Sequence, residues 1–161
     1  MLRVNTVKID SKGFAYTLVY INSSYGWGSL EYKVDSGANR STINIEAVKR
    51  LGYSVEWIKE NGVLLEGNER PLVANNKPID GCYIITVPEV IIGGQYGKLW
   101  RPMVYINNDY QFRLLLGVDI MQYFNWEFDY VKCECSFWRN SREESFLHAR
   151  EQSIDYFEIN S

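Results

Sequence analysis

The chain has 161 residues, 46% hydrophobic and 15% aromatic, which suits one globular domain with a core that needs no disulfides. A net charge of −3 excludes a general nucleic-acid footprint, and no apolar run approaches the roughly 20 residues of a membrane helix. The three cysteines, Cys82, Cys133 and Cys135, argue against a secreted disulfide framework, and MLRVNTVKIDSKGF lacks an apolar signal core, so a soluble cytoplasmic protein is expected.

Residues 2–9 and 14–21 read as two strands joined by Ser11-Lys12-Gly13, a hairpin signal. Residues 22–28 (NSSYGWG) form a loop of turn formers, and residues 29–34 (SLEYKV) are a strand that delivers Asp35. A short helix is expected over 45–51, stopped by Gly52, and a strand over 53–58. Within residues 62–87, two β-capable runs flank Asn75-Asn76-Lys77-Pro78; asparagine tolerates positive φ, so a hairpin tip belongs there. Residues 87–92, a turn over 93–97 and residues 99–106 make a further hairpin, and 107–109 is a turn. Residues 112–116 form an apolar strand entering Gly117, followed by a short helix that the Asp119 carboxylate can cap.

The run NWEFDYVKCECSFW fits a closing strand, with Trp126, Phe128 and Tyr130 on one side and Glu127 and Asp129 on the other. In that strand Cys133 and Cys135 share a face. The last residues, 141–161, are charged, with helical spacing at Phe146, Leu147 and Ile154. Strands dominate, and no solenoid repeat is visible.

Few residues carry chemistry. Asp35 lies on a tight Gly turn at a strand end, in Asp35-Ser36-Gly37-Ala38, where an acid is both accessible and rigidly held. The same four residues also suit an Asx-turn that only shapes the loop. Cys133, Cys135 and His148 lack a fourth ligand and the usual spacing, so no metal is expected. Glu127 and Asp129 read as solvated charge rather than a glycosidase pair, and Asp119 as structural rather than catalytic.

Two strings resemble the signatures of retropepsin-like aspartic proteases. One is Asp35-Ser36-Gly37-Ala38, continuing into Ser41-Thr42-Ile43 and a helix ending at Leu51-Gly52; the other is Arg113-Leu114-Leu115-Leu116-Gly117-Val118-Asp119-Ile120-Met121. The resemblance covers residues 1–138 and leaves 139–161 as a charged C-terminal extension. It implies a mainly β fold, a closed β-barrel of one lobe per protomer, with one or two short helices. It implies an aspartic endopeptidase in which water is activated between two Asp35 carboxyls, with no cofactor. Because the second string brings Leu115-Leu116-Gly117 and no acid matching Asp35, one chain holds half a site, and the resemblance supplies the rest through a symmetric homodimer. Ser36 would brace the dyad, Gly37 would lie beside the substrate with Ala38 beneath it, and Asn39 would bind substrate backbone. The hairpin at Asn75 and Asn76 would be the flap, although its tip is poorer in glycine than the family's. The expected substrate is an extended peptide or protein, with no nucleic-acid or membrane partner. A non-catalytic peptide-binding module on the same fold is the alternative. A thiol or metal hydrolase is weaker, since the only histidine, His148, lies in the extension.

Overall fold

The computed structural model describes residues 3–140, Arg142 and 158–160. The first half contains β1 (Val4–Lys8), β2 (Tyr16–Asn22), β3 (Trp27–Val34), β4 (Thr42–Ile43), α1 (Ile45–Arg50), α2 (Val55–Asn61), β5 (Val63–Leu64), β6 (Leu72–Val73), β7 (Lys77–Pro78) and β8 (Cys82–Ile84). It continues with β9 (Val87–Ile92), β10 (Gln95–Trp100), β11 (Met103–Tyr105), β12 (Leu115–Leu116), α3 (Val118–Met121), β13 (Phe124–Asp129), β14 (Glu134–Arg139) and β15 (Glu158–Asn160).

Side-chain alternation drives the largest sheet, ordered β12-β3-β2-β9-β10-β15. On β2, Thr17, Val19 and Ile21 are buried while Leu18 and Tyr20 face out, the period of two that a pleated strand imposes. The buried side meets Tyr32, Ile43, Ile45, Val48, Leu116 and Ile120 in one core. Two smaller sheets, β4-β11-β8-β5 and β1-β14-β13, and the β6-β7 hairpin complete the fold. The ladders among the described residues do not close into the barrel expected from the sequence; each sheet is open, with two end strands. One of those ends is β15, which lies antiparallel on β10. Phe146, Leu147, His148 and Ile154, where the sequence shows helical spacing and its lone histidine, lie outside the described residues.

Several elements differ from the sequence reading. Residues 55–61 are a helix, not a strand: the Ser54 side chain caps it by accepting the Trp57 N–H at 3.0 Å, and Tyr53 stacks on Trp57 with ring centroids 4.0 Å apart. β1 and β2 share only the bridge between Ile9 and Ala15; β1 instead pairs along its length with β14. The apolar run into Gly117 is extended as a ladder strand only at Leu115–Leu116. The 99–106 strand is split at residues 101–102, where Pro102 brings no N–H to a ladder; Leu99, at φ +58°, is an irregular position within β10. The turn before it is confined to Gly93 and Gly94, both at positive φ, while Gln95 already belongs to β10.

The supposed single closing strand is a hairpin, β13-β14. The Asp129 carboxylate accepts the Val131 and Lys132 N–H groups at 3.1 and 3.0 Å and turns the chain. Cys133 takes φ +55° in that turn and is exposed, while Cys135 is buried, so the two do not share a face. The same turn leaves Phe128 and Tyr130 exposed rather than in the core; only Trp126 packs against it.

Candidate active site

Asp35 is positioned by its backbone before its side chain. β3 and β12 run parallel with Val34 opposite Leu116, and the next bond in line is Asp35 N–H to the Leu116 carbonyl at 2.9 Å. The chain then turns, with Ala38 N–H donating to the Asp35 carbonyl at 3.1 Å. Within the turn the Asp35 carboxylate accepts the Gly37 N–H at 2.9 Å, which fixes one oxygen and orients the group. A Cβ on Gly37 would stand 3.2 Å from that oxygen, so a side chain there would crowd the carboxylate. Asp35 is half-buried; Ser36 and Gly37 are exposed.

The two sequence strings interlock. Val118 N–H donates to the Ala38 carbonyl at 2.8 Å, and Gly117 N–H donates to the Ser41 hydroxyl at 3.0 Å. A Cβ on Gly117 would lie 2.6 Å from the Ala38 carbonyl oxygen and 2.9 Å from the Arg40 carbonyl carbon, so only glycine allows this approach. Ser41, fully buried, donates its hydroxyl to Asp119 Oδ1 at 2.7 Å, and its N–H reaches the same oxygen at 3.0 Å. Thr42 extends the seam: its hydroxyl donates to the Arg113 carbonyl and accepts the Leu115 N–H at 3.1 Å.

Asp119 is therefore structural, but not the helix cap suggested by the sequence. Gly117 stands at the cap of α3, and Asp119, inside the helix, clamps Ser41 while also accepting the Ile120 N–H at 3.0 Å. Burial pushes its carboxyl above the ordinary value, opposed by the Ser41 hydrogen bonds and the charge of Arg40. Sequence reasoning missed this clamp. The available signal was Ser41-Thr42, two hydroxyls next to an apolar strand, whose burial demands partners.

A cavity of about 780 Å³ opens beside the interlock. Ala38 and Asn39 line it from the Asp35 loop, and Pro71 and Leu72 from the start of the β6-β7 hairpin. Asp35, Ser36, Gly37, Asn75 and Asn76 are not among its lining residues. Asn75 and Asn76 form the hairpin tip as expected, at φ +71° and +55°, whereas Lys77 and Pro78, expected in the tip, pair with Val73 and Leu72 as β7. At the base of this hairpin Arg70 bonds the Asp80 carboxylate at 2.9 Å. No group of three or more His, Cys, Asp or Glu suited to a metal occurs among the described residues. Likewise no helix there is long and apolar enough to cross a membrane.

No protein-family model and no curated protein matches the chain. Among solved structures, a retropepsin-like aspartic protease from Rickettsia conorii superposes with a TM-score of 0.63 at 20% identity, over 86% of this chain and 92% of that one. The chain thus has the retropepsin-like fold. The EIAV protease complexed with the inhibitor HBY-793 is 22% identical over 72% of this chain and 92% of its own, with a TM-score of 0.49. The retroviral protease-like domain of Ddi1 from Leishmania major is 19% identical over 72% and 81%, with a TM-score of 0.42. Both of these superpositions are looser and add nothing to the conclusion on fold.

Proposed function

We propose that the chain is an aspartic endopeptidase that works as a symmetric homodimer, with Asp35 as its catalytic residue. The observation that carries this reading is the interlock of the Asp35 turn with the Leu115–Gly117 segment, which holds an oriented carboxylate on rigid strand ends, in a loop whose Ala38 and Asn39 line a cavity of about 780 Å³.

Peptide hydrolysis without a nucleophilic side chain needs an activated water and a proton for the leaving nitrogen. Two adjacent carboxyls that share one proton supply both, because like charges side by side cannot both ionise cheaply. The ionised carboxylate accepts a proton from water as that water attacks the carbonyl carbon. The protonated partner donates to the carbonyl oxygen, and collapse of the tetrahedral species passes a proton to the departing amine. The pair titrates as a unit. A two-fold axis sets Asp35 of one protomer against its own copy, which completes the half-site without a second catalytic acid in the chain. Ser36 braces the dyad through its hydroxyl, and the Gly37 backbone lies beside the extended peptide, with Ala38 beneath it. Asn39 and the hairpin tip at Asn75 and Asn76 hold substrate, the tip acting as a flap. Residues 1–138 form the protease domain and 139–161 its extension, in a soluble cytoplasmic protein.

Asp35→Asn keeps the shape of the turn and removes the ionisable group. Cleavage of a peptide library, followed by mass spectrometry, should fall at least about a thousandfold, to background, while circular dichroism and sedimentation stay unchanged. Equal cleavage by both proteins would assign hydrolysis to another group. A peptide-binding module without turnover is the second reading, favoured by the glycine-poor hairpin tip; a wild type that binds peptides but leaves them intact from mildly acidic to neutral pH would establish it.

A further inference from the structure

The charge of the cavity beside Asp35 differs from the apolar groove that peptide hydrolysis alone requires. Its walls include Val63, Leu65, Leu72, Ile84 and Met103, yet Arg40 and Arg101 also line it, and both are half-buried. The fold brings them together for a definable reason. β4 and β11 pair in parallel with Met103 opposite Thr42, and Met103 N–H donates to the Ser41 carbonyl at 3.0 Å. Arg101 and Arg40 each stand two residues upstream of that matched pair, so two guanidinium-bearing positions enter the cavity on neighbouring segments. Among the described residues Glu69 is the one acidic member of the lining, and it is exposed.

We propose that this cavity selects peptides carrying a glutamate or aspartate side chain close to the cut, and that Arg40 and Arg101 are the residues that read it. The proposal rests on the endopeptidase reading above and names its substrate class. Apolar walls exclude water and strengthen the ionic contact relative to the surface. Both arginines already make contacts within the protein, and a guanidinium carries five N–H donors in a planar fork, more than one acceptor can use. The charge of Arg40 also acts on the Asp119 carboxylate, which ties this residue to the Ser41 clamp. The apolar walls take the methylenes of the acidic side chain and the neighbouring residues of the peptide.

The test uses one apolar peptide with Glu, Gln or Lys placed in turn at each position flanking the cut. Cleavage by the wild type and binding by Asp35→Asn, followed by fluorescence anisotropy, are measured on the same set. The Glu peptide should be cleaved and bound about tenfold better than its Gln counterpart at one position, with Lys weakest, and the gap should shrink as salt rises. Arg101→Gln should erase most of this preference, and Arg101→Glu should reverse it in favour of Lys. Equal binding of the three peptides, or a wild-type preference for Lys, overturns the proposal. Cleavage without charge preference overturns it and leaves the endopeptidase reading intact. Acid-selective binding with no cleavage upholds the pocket assignment and overturns the enzyme. Failure to bind or cleave any peptide overturns both.

Discussion

At Asp119, burial raises the carboxyl pKa, while the hydrogen bonds from Ser41 and the charge of Arg40 lower it, and burial wins. The folded chain therefore holds this proton more tightly than the unfolded chain. The contribution of the group to stability is present at low pH and is lost as pH rises through the raised folded value, starting from the ordinary 3.8. An asparagine oxygen can accept the same three N–H and O–H bonds without titrating. Asp119→Asn should therefore flatten the decline in stability with rising pH, measured by urea unfolding at a series of pH values. Asp119→Ala strands the Ser41 N–H and hydroxyl inside the protein and should cost about 2–3 kcal/mol in the same experiment. The two variants separate the charge of Asp119 from its role as an acceptor.

Among the elements, those set by local chemistry were legible and those set by tertiary contact were not. The strand into Asp35, helix α1 and the asparagine-tipped hairpin follow from alternation, the stop at Gly52 and tolerance of positive φ. Helix α2 was hidden because Tyr53, Val55 and Trp57 have the alternation and β-propensity of a strand; the Ser54 cap and the stacking of Tyr53 on Trp57 decide otherwise. The Asp35 turn and Gly117 were visible as two strings, but the Ser41 hydroxyl that joins them was not, since its partner lies 78 residues away. The closing hairpin was missed because Asp129 read as one of two solvated charges, whereas its carboxylate organises a turn. That turn has a chemical signature. Burial pushes the Cys82 thiol up to about 12 and the Cys135 thiol up to about 11, whereas Cys133 is exposed. A thiol reagent at neutral pH should modify one cysteine per native chain, Cys133, with the other two reacting only on unfolding. Peptide mapping of the labelled protein checks this, and early labelling of Cys135 would contradict the register of β14 on β1.

For the whole molecule, the decisive quantity is the number of chains per site. If each chain brings half of a dyad, mixing wild type with an equal amount of Asp35→Asn should leave about a quarter of the dimers with two intact carboxyls, once the chains have exchanged. Activity should fall to about that quarter of the all-wild-type value at the same total concentration. A monomeric enzyme would instead retain about half. Dilution gives a second readout, because specific activity should fall as dimers dissociate. Size-exclusion chromatography over the same range should show the mass change alongside it.

The close approach at Gly117 has a consequence for how such a chain changes over time. Position 117 has an alphabet of one letter, because the Ala38 and Arg40 backbones occupy the space a side chain would take. Its N–H is held by Ser41, 76 residues earlier, which in turn is held by Asp119. A substitution at Ser41 or Asp119 strands the polar atoms of the other, whatever the loops between them do. Two stretches far apart in the chain thus act as one part, which an insertion in the loops can lengthen around but a change at the lock cannot leave intact.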